Sequence, residues 1–331
     1  MTLGSHFSAT GERLRIRRIA ALTLLISRHR LGAVYAQPTF AVRAYAMVSD
    51  YWALTKPEVN SLIAVATFTG FYLGHATEPQ GFPFLLLIHT LLSTLMVASG
   101  TGTLNQYIER RFDAQMRRTA RRPMAAGRLK PDLVLWFGVA LSAFGSIYLA
   151  IAVNALASLL AIVTLLSYLF ICTPLKRKTP LCTLVGAFPG AMPPLIGWAA
   201  ASGRLSPEAW ALYAALFLWQ FPHFMAIAWM YREDYSRAGY LVLPSGKSKA
   251  GFMGWLTVLP LLGLNLVSLI PAFTGHAGPV YPVGAMLLGS SFLYFGVQLV
   301  RRKSNLAARR LLQASIVYLP LVFILLMVGR S

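Results

Sequence analysis

Nine apolar runs, each close to the roughly twenty residues a helix needs to cross a bilayer, dominate this chain. They cover 60–76, 84–107, 132–151, 154–172, 181–201, 207–230, 251–272, 279–299 and 308–328. Backbone in lipid must satisfy its own polar groups, which leaves helices or a closed barrel. No period-two alternation supports a barrel, so nine transmembrane helices are predicted. Only 12% of residues are charged, against about 25% in soluble domains.

The bases test that count. With nine spans, 28 of the 30 Lys and Arg residues fall on one side, and only Arg204 and Arg330 on the other. Such residues favour cytoplasmic loops, which places the N-terminus in the cytoplasm and the C-terminus outside. One helix more or fewer would scramble the alternation. The net charge of +20 does not point to nucleic acid, because the bases form short clusters between spans and no continuous stripe. Cys172 and Cys182 form no metal-binding pattern and read as small apolar fillers. Residues 1–48 are an Arg-rich extension, read as a flexible tail, an interfacial segment or a transit-like leader; the apolar run Ile19–Ile26 is too short to span. Residues 49–331 form the membrane domain.

Small residues and prolines suggest close packing around a central cavity. Gly70 and Gly74, and Gly186 and Gly190, have the GxxxG spacing that lets helices approach. Pro189, Pro193, Pro194, Pro222 and Pro320 should bend or interrupt their spans, which is tolerated where backbone is buried or lines a cavity.

The second span ends in "NQYIERRFDAQMRRTARRP". Asn105, Glu109 and Asp113 are spaced i, i+4, i+8, so they line one helical face over about 12 Å. Two carboxylates so placed repel each other, and carboxylates at membrane depth signal function. Mg²⁺ suits them, since it takes oxygen ligands and bridges one or two carboxylates to substrate phosphates. Arg117, Arg118, Arg121 and Arg122 have the fork geometry that grips a diphosphate; the alternative is that they only set topology. The sixth span ends in "WQFPHFMAIAWMYREDYSRAGYLVLP". Here Glu233 and Asp234 form a second acidic cluster on the same side, offering further metal ligands. Tyr231 joins the substrate-facing set, and His223 shares a face with Asp234 about three turns away. His223 reads either as a hydrogen-bonded structural residue or as a ligand or proton carrier. Two acidic clusters, a basic rim and an apolar chamber fit ionisation of an allylic diphosphate, with the carbocation shielded from water. A secondary transporter is the competing class, but the acids gather at one edge and no repeat is evident.

These stretches, with "ALTKPEVNSL" and "TPLKRKTPLCTLVGAFPGAMPPLIGWAA", resemble the UbiA-type intramembrane prenyltransferases, and within them the branch that farnesylates haem. The resemblance covers about residues 50 to 328. It implies farnesyl diphosphate as donor, haem B as acceptor, haem O as product for haem–copper oxidases, and Mg²⁺ as cofactor. It places Asn105, Glu109 and Asp113 on Mg²⁺–diphosphate, Lys176 and Arg177 in a basic loop near the diphosphate, and Glu233 and Asp234 in the second motif. Glu109 stands where the family commonly has Asp, and the second motif lacks the repeated aspartates of the wider family. For haem, His223 is the preferred ligand or orienting group and His89 the alternative; Trp198, Trp219 or Phe224 would stack on a porphyrin held by its propionates. An aromatic quinone precursor is the alternative acceptor. The implied setting is a bacterial inner membrane, or the mitochondrial inner membrane, with haem A synthase or terminal-oxidase assembly proteins as possible partners.

Overall fold

The computed structural model describes residues 40–75, 81–244, 248–275 and 277–329. The expectations for residues 1–39 lie outside them. The chain divides into compact units Met1–Ser49 and Asp50–Ser331, and the spans and the site lie in the second.

The elements, in order, are α1 (Phe40–Leu54), α2 (Pro57–His75), α3 (Phe84–Asp113), α4 (Pro131–Ala152) and α5 (Ala155–Leu166). A π-helical turn (Ser167–Cys172) and α6 (Thr173–Leu175) continue α5. Then follow α7 (Cys182–Gly190), α8 (Pro193–Ser202), α9 (Pro207–Met230), α10 (Arg232–Arg237), α11 (Ser248–Val267), α12 (Ile270–Phe273), α13 (Val280–Arg302) and α14 (Asn305–Val328). Among the described residues there is no strand.

Local chemistry explains many of the boundaries. Pro131, Pro193 and Pro207 open their helices, where a missing N–H costs nothing. Asn154 caps α5 by accepting from the Ala157 N–H at 2.8 Å, and Ser304 caps α14 by accepting from Ala307 at 3.2 Å. The fifth span is broken at Ala191–Met192, between α7 and α8, as its proline run predicts. Pro222 and Pro320 sit inside α9 and α14 without interrupting them.

Eight of the nine expected spans are helices long and apolar enough to cross a membrane. The remaining one, α2, has the length, but Glu58, Asn60, Ser61, Thr67 and Thr69 dilute its apolar character. It packs among the others all the same. Contacts run in a circuit from α2 through α3, α4, α5, α7, α9, α11, α13 and α14 back to α2, with α8 touching α2, α5 and α9. Large apolar side chains such as Ile151, Leu266 and Val328 face outward, as a multi-pass membrane protein requires.

The crossing of α2 and α8 is set by glycine. A Cβ on Gly70 would lie 2.0 Å from the Pro194 carbonyl oxygen, and one on Gly197 would lie 1.9 Å from the Thr67 oxygen. Backbone meets backbone there, so no side chain can yield. Gly190 is equally tight, against the Gln220 amide, whereas Gly186 faces open space; only one residue of that predicted pair works as a contact. Gly70→Leu should therefore lower the apparent Tm in detergent by several degrees, because overpacking costs about 1–3 kcal/mol or more. Gly186→Leu should leave the Tm unchanged in the same scan.

A cavity of about 190 Å³ separates α2, α8, α9 and α14, with Leu73, Trp198, Leu212 and Phe323 in its wall. Arg204, Ser206 and Glu208, from the connection between α8 and α9, also line it.

Candidate active site

The last three turns of α3 carry the predicted ladder. Asn105, Glu109 and Asp113 are 1%, 5% and 2% exposed. Burial of this kind demands partners, and each has a basic one from elsewhere in the chain. Lys56 Nζ donates to Asn105 Oδ1 at 2.9 Å. Lys176 Nζ lies 2.8 Å from Glu109 Oε1. Arg122 Nη1 lies 2.8 Å from Asp113 Oδ2. The repulsion between the two carboxylates is thus offset residue by residue.

Three local devices deliver those bases. Lys56 occupies the turn between α1 and α2 with φ +53°, a left-handed conformation that costs about 1–2 kcal/mol for a residue with a Cβ. Its stem passes over Gly102, where an added Cβ would meet Lys56 Cδ at 3.3 Å. Asn60 pins the same turn to α3, donating to the Thr55 carbonyl at 2.9 Å and to Ser99 Oγ at 2.8 Å. Lys176 follows the π-helical turn, an irregularity common at functional sites. That turn also buries Thr173, whose Oγ1 accepts from Asn105 Nδ2 at 3.3 Å and donates to the Tyr168 carbonyl at 2.9 Å. Arg122 comes from the segment after α3, anchored by Thr119 Oγ1 donating to the Asp113 carbonyl at 2.8 Å.

The two ammonium groups differ. Burial, the Arg122 guanidinium and Lys176 pull Lys56 down to about 7 despite nearby carboxylates. Burial also works against Lys176, but Tyr168 and the bonded Glu109 carboxylate hold it well above its ordinary value. Tyr240 closes the cluster. Its hydroxyl is buried without a hydrogen-bond partner, and burial with the Glu109 charge pushes it well above the usual phenol range.

The second motif reaches the same loop. Asp234 Oδ2 accepts from the Arg118 backbone N–H at 3.1 Å, and Arg237 pairs with Oδ1. Arg118 in turn donates to the Tyr235 hydroxyl at 3.2 Å, and its guanidinium stacks 4.5 Å from the Tyr231 ring. Arg177 lies over Phe112 at 4.3 Å. The Leu241 N–H donates to the Lys176 carbonyl at 2.7 Å, tying the loop after α10 to the one after α6.

The predicted residues therefore divide. Asn105, Glu109, Asp113, Arg122 and Lys176 form one buried cluster, and Asp234, Arg118 and Tyr231 adjoin it through the 114–122 loop. Glu233, Arg117, Arg121 and Arg177 are exposed. Adjacent helical residues point about 100° apart, so Glu233 looks out where Asp234 looks in. Sequence reasoning missed Lys56, Thr173 and Tyr240. Lys56 stands in the quoted "ALTKPEVNSL", where it counted only as a topology signal.

His223 faces α14. Ser315 Oγ donates to the Leu312 carbonyl at 2.6 Å, so its contact with His223 Nδ1 at 2.8 Å has the ring N–H donating. Trp219 stacks on the ring at 4.8 Å and donates from Nε1 to the Ser315 carbonyl at 2.8 Å. His89 is paired with the Tyr148 hydroxyl on α4. It sits sixteen residues before Asn105, about 24 Å along the axis.

Among the described residues no three His, Cys, Asp or Glu side chains converge into a metal cage. The ladder instead offers one amide and two carboxylate groups on a single face. That donor set fits Mg²⁺, which takes one or two carboxylates and draws its other ligands from water and substrate phosphates. Asp234 has both oxygens engaged by the protein, so its visible work is to hold the 114–122 loop.

Known proteins share this chain's pattern. The model of the UbiA prenyltransferase family matches residues 63–324. Proteins named protoheme IX farnesyltransferase are among its relatives. The one from Solibacter usitatus is 46% identical over 85% of this chain and 98% of its own length. That from Salinibacter ruber is 42% identical over 85% and 99%. Among solved structures, a digeranylgeranylglyceryl phosphate synthase aligns with TM-score 0.68 at 17% identity, covering 85% of this chain and 98% of its own. A UbiA homologue from Archaeoglobus fulgidus bound to GPP and Mg²⁺ aligns with TM-score 0.56 at 16% identity, over 84% and 99%. The family model spans most of the membrane domain and the relatives match over nearly their whole length: this chain belongs to the UbiA prenyltransferase family.

Proposed function

We propose that this protein transfers the farnesyl group of farnesyl diphosphate to a vinyl group of haem B, giving haem O. The observation that carries this reading is the buried ladder with a base on every member, in a chain 46% identical to a protein named for that reaction. The allylic C–O bond breaks and pyrophosphate leaves. The farnesyl carbon bonds to the terminal vinyl carbon, and water adds its oxygen to the neighbouring carbon and gives up a proton, which leaves with the pyrophosphate.

Each residue has a defined task in this reading. Asn105, Glu109 and Asp113 would hold Mg²⁺, which would supply positive charge to the leaving diphosphate. Lys56, Lys176 and Arg122 already stand at those oxygens and are placed to grip phosphate. Arg118 is fixed by Tyr231, Tyr235 and Asp234, so its guanidinium is pre-organised. Tyr240, whose buried hydroxyl lies beside Glu109, is placed to donate a hydrogen bond to the anion. His223 keeps its Nδ1 proton on Ser315, which leaves Nε2 with the lone pair that could orient or ligate the haem. Bases gathered at one end set that end in the cytoplasm, with the C-terminus outside. Bacterial relatives support an inner-membrane location.

The test is direct. Purified protein is incubated with haem B, farnesyl diphosphate and Mg²⁺, and the pigment is analysed by mass spectrometry. A hydroxyethylfarnesyl haem is expected. Prenylation of an aromatic quinone precursor with haem left untouched would overturn the assignment of acceptor.

A further inference from the structure

Outside the ladder, α13 and α14 leave a cleft between them whose lining shares no residue with the cluster described above. Its main part has a volume of about 530 Å³, within the range of ligand clefts. A smaller pocket of about 40 Å³ adjoins it, and the two share Tyr294, Phe295 and Arg310. The floor is apolar and rigid: Phe292 and Tyr318 are 1% and 2% exposed, with ring centroids 5.1 Å apart. The outer lip is open, since Tyr294 is 57% and Val317 56% exposed. On a membrane helix such a lip faces lipid.

Charge is graded along the cleft. Arg310 and Gln313 line the main part, and Arg302, Ser304 and Gln298 the smaller pocket. No acid occurs anywhere after Asp234. Arg301, Arg302, Lys303, Arg309 and Arg310 accordingly make no ion pair among the described residues. The positive-inside preference accounts for bases at this end of the bundle. It does not account for two of them lining a groove whose remaining wall is apolar and open to the bilayer. Basic pockets between transmembrane helices suit anionic lipid headgroups, and an unpaired guanidinium fork matches a phosphate oxygen pair.

We propose that this cleft binds one anionic glycerophospholipid. The phosphate rests on Arg310 and Arg302, the glycerol reaches Ser304 and Gln313, and one acyl chain lies along Phe295, Ala314 and Val317 over the Phe292–Tyr318 floor. The shared chemistry is an oxyanion, so free phosphate is the rival source, and the lipid is favoured because the apolar part of the cleft continues directly from the basic part.

Full-length protein is tested in nanodiscs of phosphatidylcholine containing phosphatidylglycerol, with retained lipid read by native mass spectrometry. One phosphatidylglycerol per chain is expected to survive activation that strips phosphatidylcholine. The pair Arg302→Gln/Arg310→Gln should weaken phosphatidylglycerol affinity about thirtyfold, taking about 1 kcal/mol for each base on the headgroup, read as loss of the retained lipid. The pair Arg301→Gln/Arg309→Gln removes the same charge outside the cleft and should leave occupancy unchanged. Equal loss in both pairs, or equal retention of the two lipids by the wild type, would show that the bases act only on topology and would overturn the proposal. Displacement of the retained lipid by millimolar inorganic phosphate would identify a free-phosphate site and overturn it equally.

Discussion

Asp113→Asn is expected to lower turnover by about a thousandfold, the scale set by losing one preorganised electrostatic contact to a leaving group. The change keeps size and shape and removes one negative charge from the last turn of α3. Asp113 is 2% exposed and its carboxylate is held by Arg122. An amide there keeps an oxygen but removes one of the two negative charges that would draw Mg²⁺ to the ladder, leaving Glu109 alone to balance the ion. The fold loses the charge opposite Arg122, a side chain 32% exposed that can turn to solvent. The Thr119 hydroxyl bonds the Asp113 backbone carbonyl, and that anchor is untouched. Pyrophosphate release and haem O formation, measured together against Mg²⁺ concentration, provide the check. Turnover within tenfold of wild type would end the metal–diphosphate reading of the ladder.

Lys176→Met should cost stability as well as activity. It strands the Glu109 carboxylate, 5% exposed, without its ammonium partner. Breaking one side of a buried pair typically costs about 3–5 kcal/mol, and the quarter-exposed Lys176 side chain puts this pair near the lower end. Lys56 remains on Asn105, one turn away, and limits the damage further. The informative variant is the double one. Glu109→Gln/Lys176→Met leaves no orphaned charge, so thermal unfolding in detergent should recover most of the lost Tm while haem O formation stays abolished. A double variant as unstable as the single one would mean that Lys176 supports the fold by packing on Tyr168, 5.7 Å from its ammonium, and owes little to the ion pair.

Eight of the nine spans were legible because apolar length is a local property, readable without contacts. So was the ladder, since i, i+4, i+8 on a helix needs only helical geometry. The partners of the ladder were not. Lys56 reaches Asn105 across forty-nine positions, through a left-handed turn that no composition rule predicts. Thr173 reaches the same residue only because a π-helical turn shifts the register of the fourth span. The second motif illustrates the opposite case. Glu233 and Asp234 are equivalent as letters, and the fold alone decides that Asp234 meets the Arg118 amide while Glu233 meets solvent. Glu233 was a predicted metal ligand, and its exposed position leaves it outside the cluster the fold assembles.

The joints between these loops are made largely of peptide groups. Leu241 N–H on the Lys176 carbonyl, and Arg118 N–H on Asp234, fasten three connections to one another. A main-chain donor is present whatever residue supplies it, so the scaffold at this end of the bundle tolerates drift in most of its side chains. The side chains around the Asn105–Glu109–Asp113 ladder can then change without loosening the loops that present it. Such tolerance suits an architecture that recurs in solved structures at 16–18% identity.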